Sequence, residues 1–237
     1  MLPGFRNYHK MVDQVKKLVR SFGRIKSRKL SDKKKDLIEN SYPNFEIDPE
    51  KDHKIVDYQN FSKKSFEVGF GFGDFMAQKA KNHPNQLFLG AEPHINGVVN
   101  LLSKIEENPV ENIKISTIDA RILLEKFEDE FFDEFYILFP DPWPKSRHLK
   151  RRIVTKEFLD GIIAKKLKKG GKLTIATDHD LYKTWICAEI LKSDKFSWNC
   201  KSNKDWQIFP SDWVETKYQK KASTEGRVSV IFELSKI

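Results

Sequence analysis

The chain has 237 residues, of which 39% are hydrophobic and 32% charged, with a formal net charge of +9. That length suits one α/β domain with an extension, or at most two small domains, and the composition excludes a chain too polar to bury a core. The positive excess favours a polyanionic partner, nucleic acid ahead of an acidic membrane surface, although a generally lysine-rich composition would give the same number. Every apolar run falls short of the roughly 20 residues that cross a bilayer, so no membrane span is expected. The N-terminus is broken by charge too often for a signal peptide, and Cys187 and Cys200 form no C-x-x-C pair. A reducing cytoplasm is the expected compartment.

In chain order, residues 1–60 read as a basic arm and connector. From Lys16 to Lys35 the text is "KKLVRSFGRIKSRKLSDKKK", half of it Lys or Arg. Such an arm is either a solvated tail or a segment that tracks a phosphate backbone. Over 61–237, short apolar runs predict strands at Ser65–Gly69, Leu87–Glu92, Asn112–Ile118, Glu134–Pro140, Lys172–Thr177 and Val228–Leu234. Helical spacing predicts helices at Asp74–Lys81, Ile95–Ile105, Lys156–Lys168 and Leu181–Leu191. Strand and helix alternating in this way imply a doubly wound, mostly parallel α/β sheet with right-handed crossovers. Ser197–Trp213 carries no clear periodicity and is left unassigned.

The first strand runs into "FEVGFGFGDF", with Gly69, Gly71 and Gly73 alternating before a helix. A dinucleotide fingerprint needs glycine at position 74, which holds Asp74. The pattern E-x-G-x-G-x-G, with Glu67 two residues before the first glycine, resembles the loop of methyltransferases that use S-adenosylmethionine (SAM). The contrast is physical. A pyrophosphate sits well at a helix N-terminus, whereas SAM carries an ammonium and a sulfonium and is better served by acids. Glu92 ends the second strand, where an acid can accept ribose hydroxyls. Asp119 follows the third in "TIDAR", placed to read an adenine amino group, and Asp141 follows the fourth. Each acid alone could be a cap or surface residue; four at successive strand ends favour one ligand edge.

The segment "FPDPWPKSRHLKRRIV" resembles the signature of the bacterial tRNA (guanine-N7-)-methyltransferase family, as do "EVGFGFG", "GAEPHINGV" and "TKYQKKA". The resemblance runs from about Arg20 to Ile237. It implies a Rossmann-like class I methyltransferase fold of six parallel strands and one antiparallel. SAM is the implied co-substrate and a guanosine in the tRNA variable loop the implied acceptor. It further implies that Glu67, Glu92, Asp119 and Asp141 contact SAM together with the loop glycines, and that Asp141 is catalytic. Lys145, Asp178, Thr216, Lys217, Tyr218 and Gln219 are implied substrate contacts. Arg147, His148, Lys150, Arg151 and Arg152 are implied RNA contacts. The family usually has Glu where this chain has Gln219, which removes any ionic role there.

The chemistry agrees independently. Guanine N7 has a free lone pair and no proton to remove, so proximity and orientation are the main requirements. Prolines on both sides of Asp141 restrict its backbone, and a fixed carboxylate can meet charge developing on the base. Asp178 precedes a helix pattern, so an N-cap role competes with substrate binding. The six histidines are scattered and no metal is expected. Other readings are a SAM-dependent methyltransferase for another RNA or protein acceptor, a non-catalytic RNA-binding protein on the same fold, and a nicotinamide-dependent oxidoreductase. Monomer and homodimer both remain open.

Overall fold

In the computed structural model, residues 30–47, 57–198, 200–202 and 204–237 are described. Most of the basic arm, including Lys16 to Lys29, therefore lies outside the described residues. The chain order is α1 (residues 32–45, with a π-helical turn at Leu37–Ser41), β1 (Lys63–Val68), α2 (Asp74–Asn82), β2 (Gln86–Ala91), α3 (Ile95–Glu107) and β3 (Ile113–Ser116). It continues with α4 (Ala120–Leu124), β4 (Phe132–Leu138), α5 (residues 156–166, with a π-helical turn at Leu159–Ile163), β5 (Leu167–Thr177), α6 (Asp180–Lys192), β6 (Phe196–Trp198), α7 (Lys217–Thr224) and β7 (Val230–Lys236).

The sheet order is β3-β2-β1-β4-β5-β7-β6. Pairing is parallel from β3 to β5, and β7 lies antiparallel to both β5 and β6. Six strands therefore point one way and β7 the other, which is the expected doubly wound class I methyltransferase sheet. Chain direction across the sheet reverses between β1 and β4, and open sheets of this kind bind ligands at the carboxyl ends beside that reversal. β1 delivers Glu67 and the glycine loop to this crevice, and β4 delivers the loop that carries Asp141.

Burial explains the elements. Every residue of β2 is buried, as a central parallel strand requires. On one face Phe66, Phe127, Phe132 and Phe135 pack ring against ring, with centroids 4.9–6.5 Å apart. On the other, α3 buries Val98, Val99, Leu101, Leu102 and Ile105 together with Leu37 and Tyr42 of α1. Residues 30–47, grouped with the arm on sequence, thus share the core. The Ile47 N–H donates to the Ile115 carbonyl at 2.7 Å, tying that segment to β3. One helix ends earlier than its spacing suggests, because Leu167 and Lys168 already run in β5.

The unassigned stretch after α6 becomes a buttress. Trp198 and Trp206 stack on Phe232 of β7 at 5.5 and 5.6 Å, and Trp213 packs on Phe75 of α2 at 5.4 Å. Asp212 pairs with Lys79, which is buried on α2. An ammonium in that position would carry a large desolvation penalty without its carboxylate partner.

Candidate active site

The β1–α2 turn is built by glycines because its backbone demands them. Gly69, Gly71 and Gly73 all have positive φ, at 70°, 53° and 71°, a region that side-chain-bearing residues rarely adopt. A second demand comes from α3. A Cβ on Gly97 would run into the Gly71 carbonyl oxygen and come within 2.9 Å of Glu92 Cγ. The absent side chain at position 97 lets helix and loop touch.

Glu92 stitches this contact. Its Oε2 accepts from the Gly71 N–H at 2.9 Å and its Oε1 from the His94 N–H at 2.8 Å. Burial raises its carboxyl above the usual range, these two donors lower it, and Asp141 raises it again. Glu67 is 5% exposed, and its Oε2 has no hydrogen-bond partner among the described residues. Burial, then Glu92 and Asp74, push its pKa up to about 8. Tyr218 titrates high as well, from burial and then the charges of Glu92, Asp141 and Asp74. Glu92 and Asp74 thus act on Glu67, and Asp141 acts on Glu92, beneath a Tyr218 ring that lies against Gly71.

Asp141 leaves β4 on a strained loop. Phe139 (φ 50°) and Trp143 (φ 41°) flank it in the left-handed region, each at a cost on the order of 1–3 kcal/mol. The Asp141 side chain is exposed at the crevice mouth. It accepts no hydrogen bond from the described residues, and partial desolvation by the neighbouring walls raises its carboxyl. The backbone that carries this carboxylate is restricted, and the carboxylate itself is unspent among the described residues.

The remaining expected residues divide. Thr216 caps α7, its Oγ1 accepting from the Gln219 N–H at 3.1 Å. Gln219 Oε1 accepts from Trp213 Nε1 at 2.7 Å. Lys217 places its ammonium 4.2 Å from the centre of the Phe72 ring, and Tyr218 lies 6.0 Å from that ring. These residues fold α7 over the glycine loop. Asp119 caps α4 by accepting from the Arg121 N–H at 3.0 Å, and it also takes the Arg121 guanidinium at 2.8–2.9 Å. Asp178 accepts from Arg227 Nε at 2.8 Å, and the N-cap position of α6 belongs to His179. The capping alternative for Asp178 is thereby set aside.

The basic run after the loop forms a 3-10 turn, Ser146–Arg151. Lys145, Arg147 and Lys150 are exposed. His148 meets the Trp143 ring edge-on at 5.7 Å. Desolvation and then Arg151, Arg147 and Lys145 hold its pKa low. The Arg151 guanidinium lies 4.9 Å from the Trp143 centroid. Arg152 differs from these neighbours: it is 6% exposed, and its guanidinium donates to the Pro142 carbonyl at 2.8 Å.

The chain matches the family described as "Putative methyltransferase" over residues 62–232. It is 38% identical over 208 residues to a tRNA (guanine-N(7)-)-methyltransferase of Zymomonas mobilis subsp. mobilis, covering 87% of this chain and 90% of that protein. The chain belongs to the tRNA (guanine-N(7)-)-methyltransferase family. A relative of the same name from Roseobacter denitrificans is 41% identical over 161 residues, 68% of each chain. Among solved structures, the 16S rRNA methyltransferase KamB matches with a TM-score of 0.54 at 14% identity, over 75% of this chain and 89% of that one, and shares the fold.

Membership of a methyltransferase family implies SAM as co-substrate, and the crevice fits it. An orphaned buried carboxylate oxygen on Glu67 suits an ammonium. Glu92 keeps lone pairs beyond its two backbone donors and can accept from ribose hydroxyls. A pyrophosphate would instead meet Asp74 in the first turn of α2, together with Glu67 and Glu92. Three contributors were not singled out from sequence: Asp74 as part of the acidic set, the Trp213–Gln219 contact that seats α7, and the inward turn of Arg152. The Trp213–Gln219 bond spans only six residues, whereas Arg152 meets rings 30 and more positions away.

Proposed function

We propose that this chain transfers the methyl group of SAM to N7 of a guanosine in the variable loop of tRNA, acting in the cytoplasm. The observation that supports this most is Asp141, held between two left-handed residues at the mouth of an acid-lined crevice, with exposed cations immediately beside it. SAM, when bound, supplies a methyl carbon made electrophilic by its sulfonium and keeps the electron pair of the broken carbon–sulfur bond.

The residues do the rest. Glu67 and Glu92, with the backbone of Gly69, Gly71 and Gly73, hold the co-substrate, and Asp119 closes the same edge. Tyr218 and Lys217 cover the loop from α7. Lys145, Asp178, Thr216 and Gln219 border the place where the base would enter, and Arg147, His148, Lys150 and Arg151 face the phosphates beside it. Guanine N7 attacks with its own lone pair, so no general base is required, and the base becomes positive as the new bond forms. Asp141 meets that charge without reorganising, the kind of preorganised electrostatic stabilisation that contributes most when fixed in advance. Phosphate contacts by the flanking cations fix position and not sequence.

The test is methyl transfer from labelled SAM to unmodified tRNA transcripts, with the product mapped by cleavage specific for 7-methylguanosine. Label at one variable-loop guanosine, reduced about 100-fold or more in Asp141→Ala, is expected. SAM binding with no label in any tRNA would overturn the assignment and favour another acceptor.

A further inference from the structure

Arg152 ends a run of basic residues, yet its surroundings differ from those of its neighbours. Its Nε donates to the Pro142 carbonyl at 2.8 Å, and a terminal nitrogen approaches the Trp143 carbonyl at 3.5 Å. The guanidinium carbon lies 4.8 Å from the Trp185 ring centre and 5.2 Å from that of Tyr182, both on α6. The same two side chains grip the chain just beyond: Trp185 Nε1 donates to the Val154 carbonyl at 2.7 Å, and the Val154 N–H donates to Tyr182 Oη at 3.3 Å.

We propose that Arg152 is a positioning residue, which fastens the Asp141 loop to α6 through the Pro142 and Trp143 carbonyls and makes no contact with RNA. The loop needs an outside clamp. Pro140, Pro142 and Pro144 contribute no N–H groups, so the segment cannot hold itself by backbone pairing. Trp143 sits at φ 41°, a conformation that persists only where the surroundings enforce it. A guanidinium matches the task because its planar fork can donate in two directions while its faces stack on aromatic rings. An ammonium can donate and can lie over a ring, but it lacks the planar fork that does both at once in a fixed geometry. Asp141 lies one residue before Pro142, so the clamp acts on the position of its carboxylate.

The kinetic part of the test rests on the tRNA reading; the spectroscopic part does not. Arg152→Lys and Arg152→Gln are compared with wild type for kcat, for the KM of tRNA and for the salt dependence of tRNA affinity. The full chain is also labelled with 5-fluorotryptophan, its Trp143 resonance assigned by Trp143→Phe. For both variants we expect kcat to fall about tenfold or more, since small misplacements of a reacting group are costly. The KM of tRNA should stay within about twofold and the salt slope should not change, because no phosphate contact is lost. The Trp143 fluorine resonance should shift or broaden even in Arg152→Lys. Rescue of turnover by lysine, with Arg152→Gln losing only tRNA affinity and salt slope, would identify a phosphate contact and overturn the proposal. If wild type labels no tRNA, the functional reading fails, and the spectrum then decides alone: an unmoved Trp143 resonance in Arg152→Lys overturns the clamp. Should the glutamine variant not fold, the charge-conserving lysine variant decides.

Discussion

Glu67 holds its carboxyl where ionisation is disfavoured, by burial and then by Glu92 and Asp74, so that its pKa rises from the ordinary 4.5 to about 8. Below pH 4.5 the group is neutral in folded and unfolded chains alike and contributes nothing. As pH rises from there, the unfolded chain releases the proton while the folded one keeps it, so stability falls until about pH 8 and is constant above. Glu67→Gln removes that penalty. It should stabilise the ligand-free protein by on the order of 3 kcal/mol at pH 7 and by little at pH 4, at the expense of SAM affinity. Urea unfolding at the two pH values reads this directly, and an equal gap at both would show that the carboxyl is not the source.

The contact between the glycine loop and α3 carries a prediction with competing terms. Alanine is the better helix former by about 1 kcal/mol, so propensity alone would make Gly97→Ala stabilising. The new methyl would, however, meet the Gly71 carbonyl and Glu92, and overpacking of this kind costs about 1–3 kcal/mol. We expect net destabilisation in urea and at least about a tenfold loss of SAM affinity by calorimetry, because a shifted Gly71 also abandons its bond to Glu92. At this scale the long elements were legible in the sequence: short apolar runs marked β1 to β5 and β7, and helical spacing marked α2, α3, α5 and α6. The short ones were not. α4 is five residues and β6 three, too few for a period to repeat. α7 buries only Ala222 and is held instead by the Thr216 cap and the Trp213–Gln219 bond. Arg147 and Arg152 are the same letter in one basic run; only the aromatic platform on α6, 30 and more residues later, sends one inward.

Across the whole molecule, the net charge of +9 and the acidic crevice answer different ligands. In the proposed reading the carboxylates face a cationic co-substrate, and Lys145, Arg147 and Lys150, exposed within ten residues after Asp141, face a polyanion. If these cations contact phosphates, the slope of log affinity against log salt for tRNA should shrink by roughly 0.7–0.9 for each one replaced by alanine. Titrations of Arg147→Ala and Lys150→Ala at several salt concentrations give that slope, with no change expected in SAM affinity. The central claim concerns a single atom, N7 of the target guanosine. The most direct measurement compares labelled methyl transfer to two tRNA transcripts that differ only at the mapped guanosine, one natural and one with 7-deazaguanosine, which has carbon in place of N7. Full labelling of the first and loss of label from the second is the predicted result. Equal labelling of both would contradict it and place the methyl group on another atom.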